Sequence, residues 1–125
     1  MGSYLSVHEG PQNISKRPVT QPLKPGMICS NEPGYYKTGE YGIRIENLVL
    51  VVPREIDGAE KEMLGFETLT FAPIDRRLVD VGMLDADELG WLNCYHAHVL
   101  AKIGPQLSGA DLDWLEHACA PIGGD

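Results

Sequence analysis

The chain has 125 residues, a length that suits one compact domain with its own core. Hydrophobic residues make up 43% and charged residues 22%, which are ordinary values for a soluble globular protein. Eighteen acidic residues against ten basic ones give a net charge of −8, which argues against nucleic acid or an anionic membrane as a partner. No apolar run approaches the roughly 20 residues of a membrane span, and MGSYLSVHEG lacks the features of a signal peptide.

The cysteines point to a reducing compartment. Cys29, Cys94 and Cys119 are odd in number, widely spaced and in no CxxC pattern. Such cysteines are typical of buried or half-buried free thiols rather than of disulfides or a zinc site. We therefore expect a cytoplasmic protein.

The first two thirds of the chain read as short strands and turns. Residues 10–26 contain four prolines and end in the turn pair Pro25-Gly26, which predicts an ordered loop, and 33–42 are rich in turn residues. Asp57-Gly58 favours a hairpin turn. Alternating or strand-forming hydrophobic residues predict strands at 4–8, 27–32, 43–52, 63–71 and 78–81.

Two helices are predicted at the C-terminal end, over 85–103 and 109–120. In the first, apolar residues recur at three- and four-residue steps, Asp85 and Glu88 form a capping-box pair, and Gly104-Pro105 ends the helix. The second carries an inward stripe at Leu112, Leu115 and Cys119. Strands followed by helices imply an α+β fold.

Charged residues interrupt the apolar segment that predicts the central strand, Ile43 to Val52. Arg44 and Glu46 would share one face of that strand, and Glu32 ends the preceding strand before Pro33-Gly34. Buried carboxylates need a cation nearby. A structural ion pair, for example between Arg44 and Glu32, and a metal site are equally compatible with this spacing. Carboxylate oxygens suit hard divalent cations, with histidine added for manganese, zinc or cobalt.

Several motifs in order carry a family resemblance. VHEGPQ, PLKPGM, SNEPGYY, GIRIENLVLVV, LTFAPID and a C-terminal DWL…PI together resemble the Xaa-Pro aminopeptidases (aminopeptidase P), in the metallopeptidase family that includes methionine aminopeptidase. The resemblance implies a pita-bread α+β fold, of which residues 1–125 would be the C-terminal part of the catalytic domain. It also implies a substrate class: peptides with proline in the second position.

The resemblance assigns roles to the charged residues. The glutamate of the EPG motif, Glu32, would bind one of two divalent metal ions and handle the proton of the attacking water. The glutamate of the IRIEN motif, Glu46, would bridge both ions, and Arg44 would support the metal-binding carboxylates. Manganese is the expected metal, with zinc or cobalt as alternatives.

Substrate contacts follow from the same motifs. The histidine of VHEGP, His8, would not bind metal but would contact the scissile peptide and stabilise the developing charge. Tyr35 and Tyr36 match paired aromatic residues after EPG, and Tyr35 is the expected substrate contact. Packing next to the site is an equally open reading of both tyrosines.

The chain departs from the family pattern in its ligand set. The family uses five protein ligands, and two aspartates and one histidine have no counterpart here. His96 and His98 are two apart on a predicted helix and face different directions, so they are expected, with His117, to be surface or partly packed residues. We therefore expect the chain alone to be inactive. Because the predicted strand 43–52 is apolar on both faces and would be left uncovered, we also expect the chain to self-associate, for instance as a homodimer. A non-catalytic chain that acts by binding is the alternative.

Overall fold

In a computed structural model of the chain, residues 10–16 and 18–123 are described, and two compact units are distinguished, Met1–Thr70 and Phe71–Asp125. The strand predicted over 4–8, together with His8, lies outside the described residues. The first unit contains five strands: β1 (Ile28–Asn31), β2 (Gly34–Lys37), β3 (Tyr41–Arg44), β4 (Asn47–Arg54) and β5 (Met63–Thr68).

The strands of the first unit pair antiparallel throughout. A three-stranded sheet has the order β1-β4-β5, and β2 pairs with β3 in a separate two-stranded ladder. The turn predicted at Asp57-Gly58 is confirmed between β4 and β5, where Gly58 adopts a positive φ of 78°. A side chain rarely tolerates that conformation, which explains the glycine.

The prediction of one continuous strand over 43–52 is wrong. Its residues divide between β3 and β4, with a break at Ile45 and Glu46, and the segment predicted as turns over 33–42 supplies the hairpin β2–β3. Proline explains the break, because Pro33 has no N–H to complete the ladder opposite Ile45. The strand predicted over 63–71 ends earlier, at Thr68.

Alternation along the strands gives the first unit its buried face. Cys29, Val49 and Val51 are buried, and Cys29 and Val49 are direct partners across β1 and β4. Leu48 and Leu50, which alternate with them, are half-buried. The charged break therefore adjoins a strand whose buried face is apolar.

The second unit begins with two 3₁₀ turns, Arg76–Leu78 and Val81–Met83, so the strand predicted over 78–81 is wrong. Asp75 accepts a hydrogen bond from the backbone N–H of Arg77, and Asp80 does the same from Gly82. Short aspartate side chains that bond to nearby backbone in this way favour turns over strands. The Arg77 guanidinium also donates to Asp75 and lowers the pKa of that carboxyl to about 2.

Two helices complete the second unit: α1 (Ala86–Ile103) and α2 (Ala110–Ala118). The capping box of α1 is confirmed, with Asp85 accepting from the Glu88 N–H and Glu88 accepting from the Asp85 N–H. The predicted α+β order of strands followed by helices is thus confirmed. Among the described residues, no helix is long and apolar enough to cross a membrane.

A small apolar core holds the helical unit together. It consists of Tyr95 and Val99 from α1 with Leu115 and Cys119 from α2 and its end. The cysteines are free as predicted, but Cys94 is exposed rather than buried. His96 corrects a second expectation, because it is fully buried instead of lying at the surface.

Candidate metal-binding site

The two candidate metal ligands of the strand unit face each other across the break. The register of β1 with β4 runs from Ile28↔Leu50 to Asn31↔Asn47, and that of β2 with β3 begins at Gly34↔Arg44. No residue is inserted or lost between the two ladders. Glu32 therefore stands directly opposite Glu46.

The backbone hydrogen bonds on either side of the two glutamates show whether they occupy a hydrogen-bonded or a non-hydrogen-bonded position of the antiparallel ladder. Val51 N–H donates to the Met27 carbonyl at 2.8 Å, and Ile45 N–H donates to the Pro33 carbonyl at 3.1 Å. Hydrogen-bonded and non-hydrogen-bonded pairs alternate along an antiparallel ladder, and facing side chains are closest in the latter. Glu32 and Glu46 occupy a non-hydrogen-bonded position, so their Cβ atoms are expected to be about 4.5–5.5 Å apart.

Two carboxylates in such a position repel each other unless a cation lies between or beside them. The structure supplies one such cation, because Arg44 Nε lies 3.3 Å from Glu46 Oε2. The side chains of this pair are 53% and 32% exposed, so water screens their attraction. The half-exposed Arg44 guanidinium therefore offsets part of the charge of Glu46.

The paired tyrosines lie on opposite faces of the β2–β3 hairpin. Tyr35 is the register partner of Ile43, and its ring centroid is 6.2 Å from that of Tyr41. Tyr36 alternates to the other face, where a Cβ on Gly42 would come within 2.6 Å of its ring and one on Gly34 within 2.9 Å. The two glycines thus make room for the Tyr36 ring on the face that Arg44 and the glutamates share. The substrate role of Tyr35 stays a prediction.

The donor set fits part of a metal site. Two opposed carboxylates have the hard oxygen atoms that divalent cations prefer and can approach one ion together. Within residues 10–16 and 18–123, however, no three His, Cys, Asp or Glu side chains form a group that could hold a metal ion. Glu32 and Glu46 are thus a pair of possible ligands and not a complete group among the described residues, and His8 lies outside those residues.

The other histidines have local partners. His96 Nε2 accepts from the Ile74 N–H at 3.1 Å, and His117 Nδ1 lies 2.6 Å from the Asp113 carbonyl oxygen. Burial lowers the pKa of His96, which keeps its ring neutral. Neither histidine belongs to a group of three or more potential metal ligands within residues 10–16 and 18–123.

A residue that the sequence reasoning missed is Thr70. It accepts hydrogen bonds from both residues that follow Glu46, from the Asn47 side chain and from the Leu48 backbone. Its place in LTFAPID gives no local signal of this contact, because the pairing depends on the register of β4 with β5.

Comparisons with known proteins agree with the motif resemblance. Residues 1–53 match the metallopeptidase family M24, and residues 62–122 match the C-terminal region of peptidase M24. Aminopeptidase P2 of Arabidopsis thaliana is 48% identical over 98% of this chain and 18% of the relative. A probable Xaa-Pro aminopeptidase P of Laccaria bicolor is 46% identical over 98% of this chain and 20% of the relative. The chain thus spans about a fifth of the length of these relatives.

A solved structure gives the same answer for the fold. The X-prolyl aminopeptidase of Caenorhabditis elegans, described as a cytosolic enzyme with a di-nuclear active site, superposes with a TM-score of 0.86. It is 41% identical, and the match covers 97% of this chain and 20% of that enzyme. The fold is therefore the predicted C-terminal portion of the pita-bread fold. Since the two family matches together take in most of the chain, it belongs to metallopeptidase family M24 and carries that family's C-terminal region.

Proposed function

We propose that the full-length protein containing this chain is a metalloaminopeptidase that removes an N-terminal residue preceding proline. The observation that carries the proposal is the direct opposition of Glu32 and Glu46 at a break in an otherwise regular ladder. Two carboxylates at such a position place hard oxygen donors side by side, where divalent cations can bind them. The similarity to Xaa-Pro aminopeptidases supports the substrate class: peptides with proline second.

In this proposal the chain supplies part of a site for two divalent ions. When bound, such ions polarise a peptide carbonyl and make water a nucleophile at neutral pH. Glu32 would hold one ion and would take up a proton from the attacking water, and Glu46 would serve as a ligand to both ions. Arg44 orients Glu46 through the 3.3 Å ion pair. His8 and Tyr35 contact the peptide, with His8 stabilising the charge that develops on the carbonyl oxygen.

Manganese is the metal we propose, with zinc or cobalt as alternatives. We also propose a cytoplasmic location, which the free cysteines support. The chain alone is proposed to be inactive. Two carboxylates without further ligands give weak affinity, because each missing ligand removes charge and geometry.

The test uses the full-length protein and an Xaa-Pro peptide. Glu32→Gln and Glu46→Gln should each abolish measurable cleavage, because an amide neither bridges cations nor takes up the proton. His8→Ala should lower turnover while leaving the bound metal content unchanged. Glu40→Gln is the matched control, since Glu40 pairs with Lys37 at 2.8 Å within the hairpin. Full cleavage by Glu46→Gln would overturn the proposal, and metal loss in His8→Ala would overturn the role of His8.

The alternative, a chain that acts by binding, predicts self-association without catalysis. Exposed apolar side chains support association of the isolated chain: Tyr35, Tyr36 and Tyr41 on the β2–β3 hairpin are each more than half exposed. We propose a homodimer that covers them. Light scattering of the isolated chain across a concentration series should show mass rising to the dimer value, and a constant monomer mass would contradict this.

A further inference from the structure

Thr70 connects the end of the three-stranded sheet to the residues that follow Glu46. Its hydroxyl oxygen accepts from Asn47 Nδ2 at 3.2 Å and from the Leu48 N–H at 3.0 Å. Its carbonyl oxygen accepts from Asn47 Nδ2 as well, at 3.3 Å. The neighbouring Leu69 N–H donates to the Leu48 carbonyl at 2.8 Å, so the strand pairing continues to this point.

The register of the strands and the alternation of their side chains determine which part of the chain the Thr70 bonds hold in place. In the register of β4 with β5, Val49 lies opposite Thr68. The same register, continued by two residues along each strand, places Asn47 opposite Thr70. Adjacent side chains of a strand point to opposite faces, so Asn47 projects away from the face of Glu46. Thr70 therefore acts on the backbone that carries Glu46 and not on its carboxylate.

Glu46 needs such support because it lies in the break. Neither Ile45 nor Glu46 belongs to a regular strand. On the N-terminal side, the backbone is held by the bond from Ile45 N–H to the Pro33 carbonyl at 3.1 Å. On the C-terminal side, Asn47 pairs with Asn31 in the β1–β4 ladder, and Thr70 adds bonds to the Asn47 side chain and to the Leu48 N–H.

We propose that Thr70 is a positioning residue for the metal ligand Glu46, acting through Asn47 and the Leu48 N–H. The inference rests on the proposed function, because it concerns how Glu46 is presented to a divalent ion. Groups that orient metal ligands through hydrogen bonds commonly change metal affinity by about 10- to 100-fold when they are removed. A valine in place of Thr70 has nearly the same shape but cannot accept either bond.

The experiment measures Mn²⁺ affinity of the full-length protein by competition with a fluorescent chelator, beside the thermal unfolding midpoint of each variant. Thr70→Val should weaken Mn²⁺ binding by about 10- to 100-fold. Thr70→Ser keeps the hydroxyl and should bind like the wild type. Thr68→Val makes the same chemical change two residues away, where the threonine hydroxyl has no such role in the proposal, and should also bind like the wild type.

The outcomes separate this inference from the function on which it rests. If Glu46→Gln binds Mn²⁺ as tightly as the wild type, the proposed function is wrong. If Glu46→Gln loses the metal while Thr70→Val retains wild-type affinity, the positioning role alone is overturned. Equal weakening in Thr70→Ser and Thr70→Val would also overturn it, because the hydroxyl would then be irrelevant. Should Thr70→Val not fold, Asn47→Ala removes the side-chain bonds from the other partner and must weaken Mn²⁺ binding in the same direction.

Discussion

The strand unit and the helical unit differ in how their buried residues are arranged. In the strand unit, the buried apolar residues Cys29, Val49 and Val51 lie along one face, and the neighbouring hairpin is exposed along its whole length. In the helical unit, Tyr95, Val99, Leu115 and Cys119 form a closed cluster. The candidate site belongs to the first kind of structure, where backbone register rather than a surrounding core brings the charged residues together.

This contrast has a functional consequence. Opposed carboxylates need room for ions, which a closed core does not provide, and a strand break leaves them half-exposed or exposed. The core of the helical unit instead tolerates few substitutions, because the loss of even one methyl group from a close-packed core lowers stability. Substitutions should therefore affect metal binding in the strand unit and stability in the helical unit.

The largest stability effect that would sharpen this comparison is expected for Leu115→Ala. Leu115 is only 2% exposed, and removing such a side chain usually costs about 2–5 kcal/mol. Both tryptophans, Trp91 and Trp114, lie on the helices, so urea unfolding followed by tryptophan fluorescence reports on this unit.

The exposed Leu78 provides the control for that measurement. It is 71% exposed, so Leu78→Ala should change the free energy of unfolding by less than about 0.5 kcal/mol. Equal effects of the two substitutions would show that the helical unit has no closed core, and the contrast between the units would fail.

The sequence predicted those features that depend on local rules. The helix stripe, the Asp85–Glu88 capping box and the Asp57-Gly58 turn each follow from residues close in the chain. The break at Ile45–Glu46 was missed although its cause is visible in the sequence, because Pro33 acts on a partner strand and not on its own.

Features that depend on packing or register were harder to predict. His96 adjoins the apolar stripe of α1, and only the packing of the segment containing Ile74 makes it a buried residue. The opposition of Glu32 and Glu46 needed the register of two ladders, although the family resemblance had already singled out both glutamates. Thr70 had neither a local signal nor an assigned role.

A smaller effect on the helical unit is expected from pH, through His96. Its Nε2 accepts from the Ile74 N–H, which requires a neutral ring, and its buried Nδ1 has no protein partner in the described part of the chain. Burial, reinforced by the nearby Arg76 charge, lowers the pKa of His96 below its ordinary value of 6.5.

The direction of the pH effect follows from that lowered pKa. Below pH 6.5 the unfolded chain binds a proton at His96 that the folded chain resists, so stability is fully present above this pH and falls as the pH decreases. The slope is at most about 1.4 kcal/mol per pH unit for one proton.

Urea unfolding at pH 7.5 and pH 5.5, followed by tryptophan fluorescence, should show a lower midpoint at the acidic pH. Because Asp75 has a pKa of about 2, it stays ionised throughout this range and adds nothing to the change. His96→Gln should remove most of the pH dependence, whereas His98→Gln, at an exposed position of the same helix, should keep it. If His98→Gln instead removes it, the buried histidine is not the group that couples the helical unit to pH.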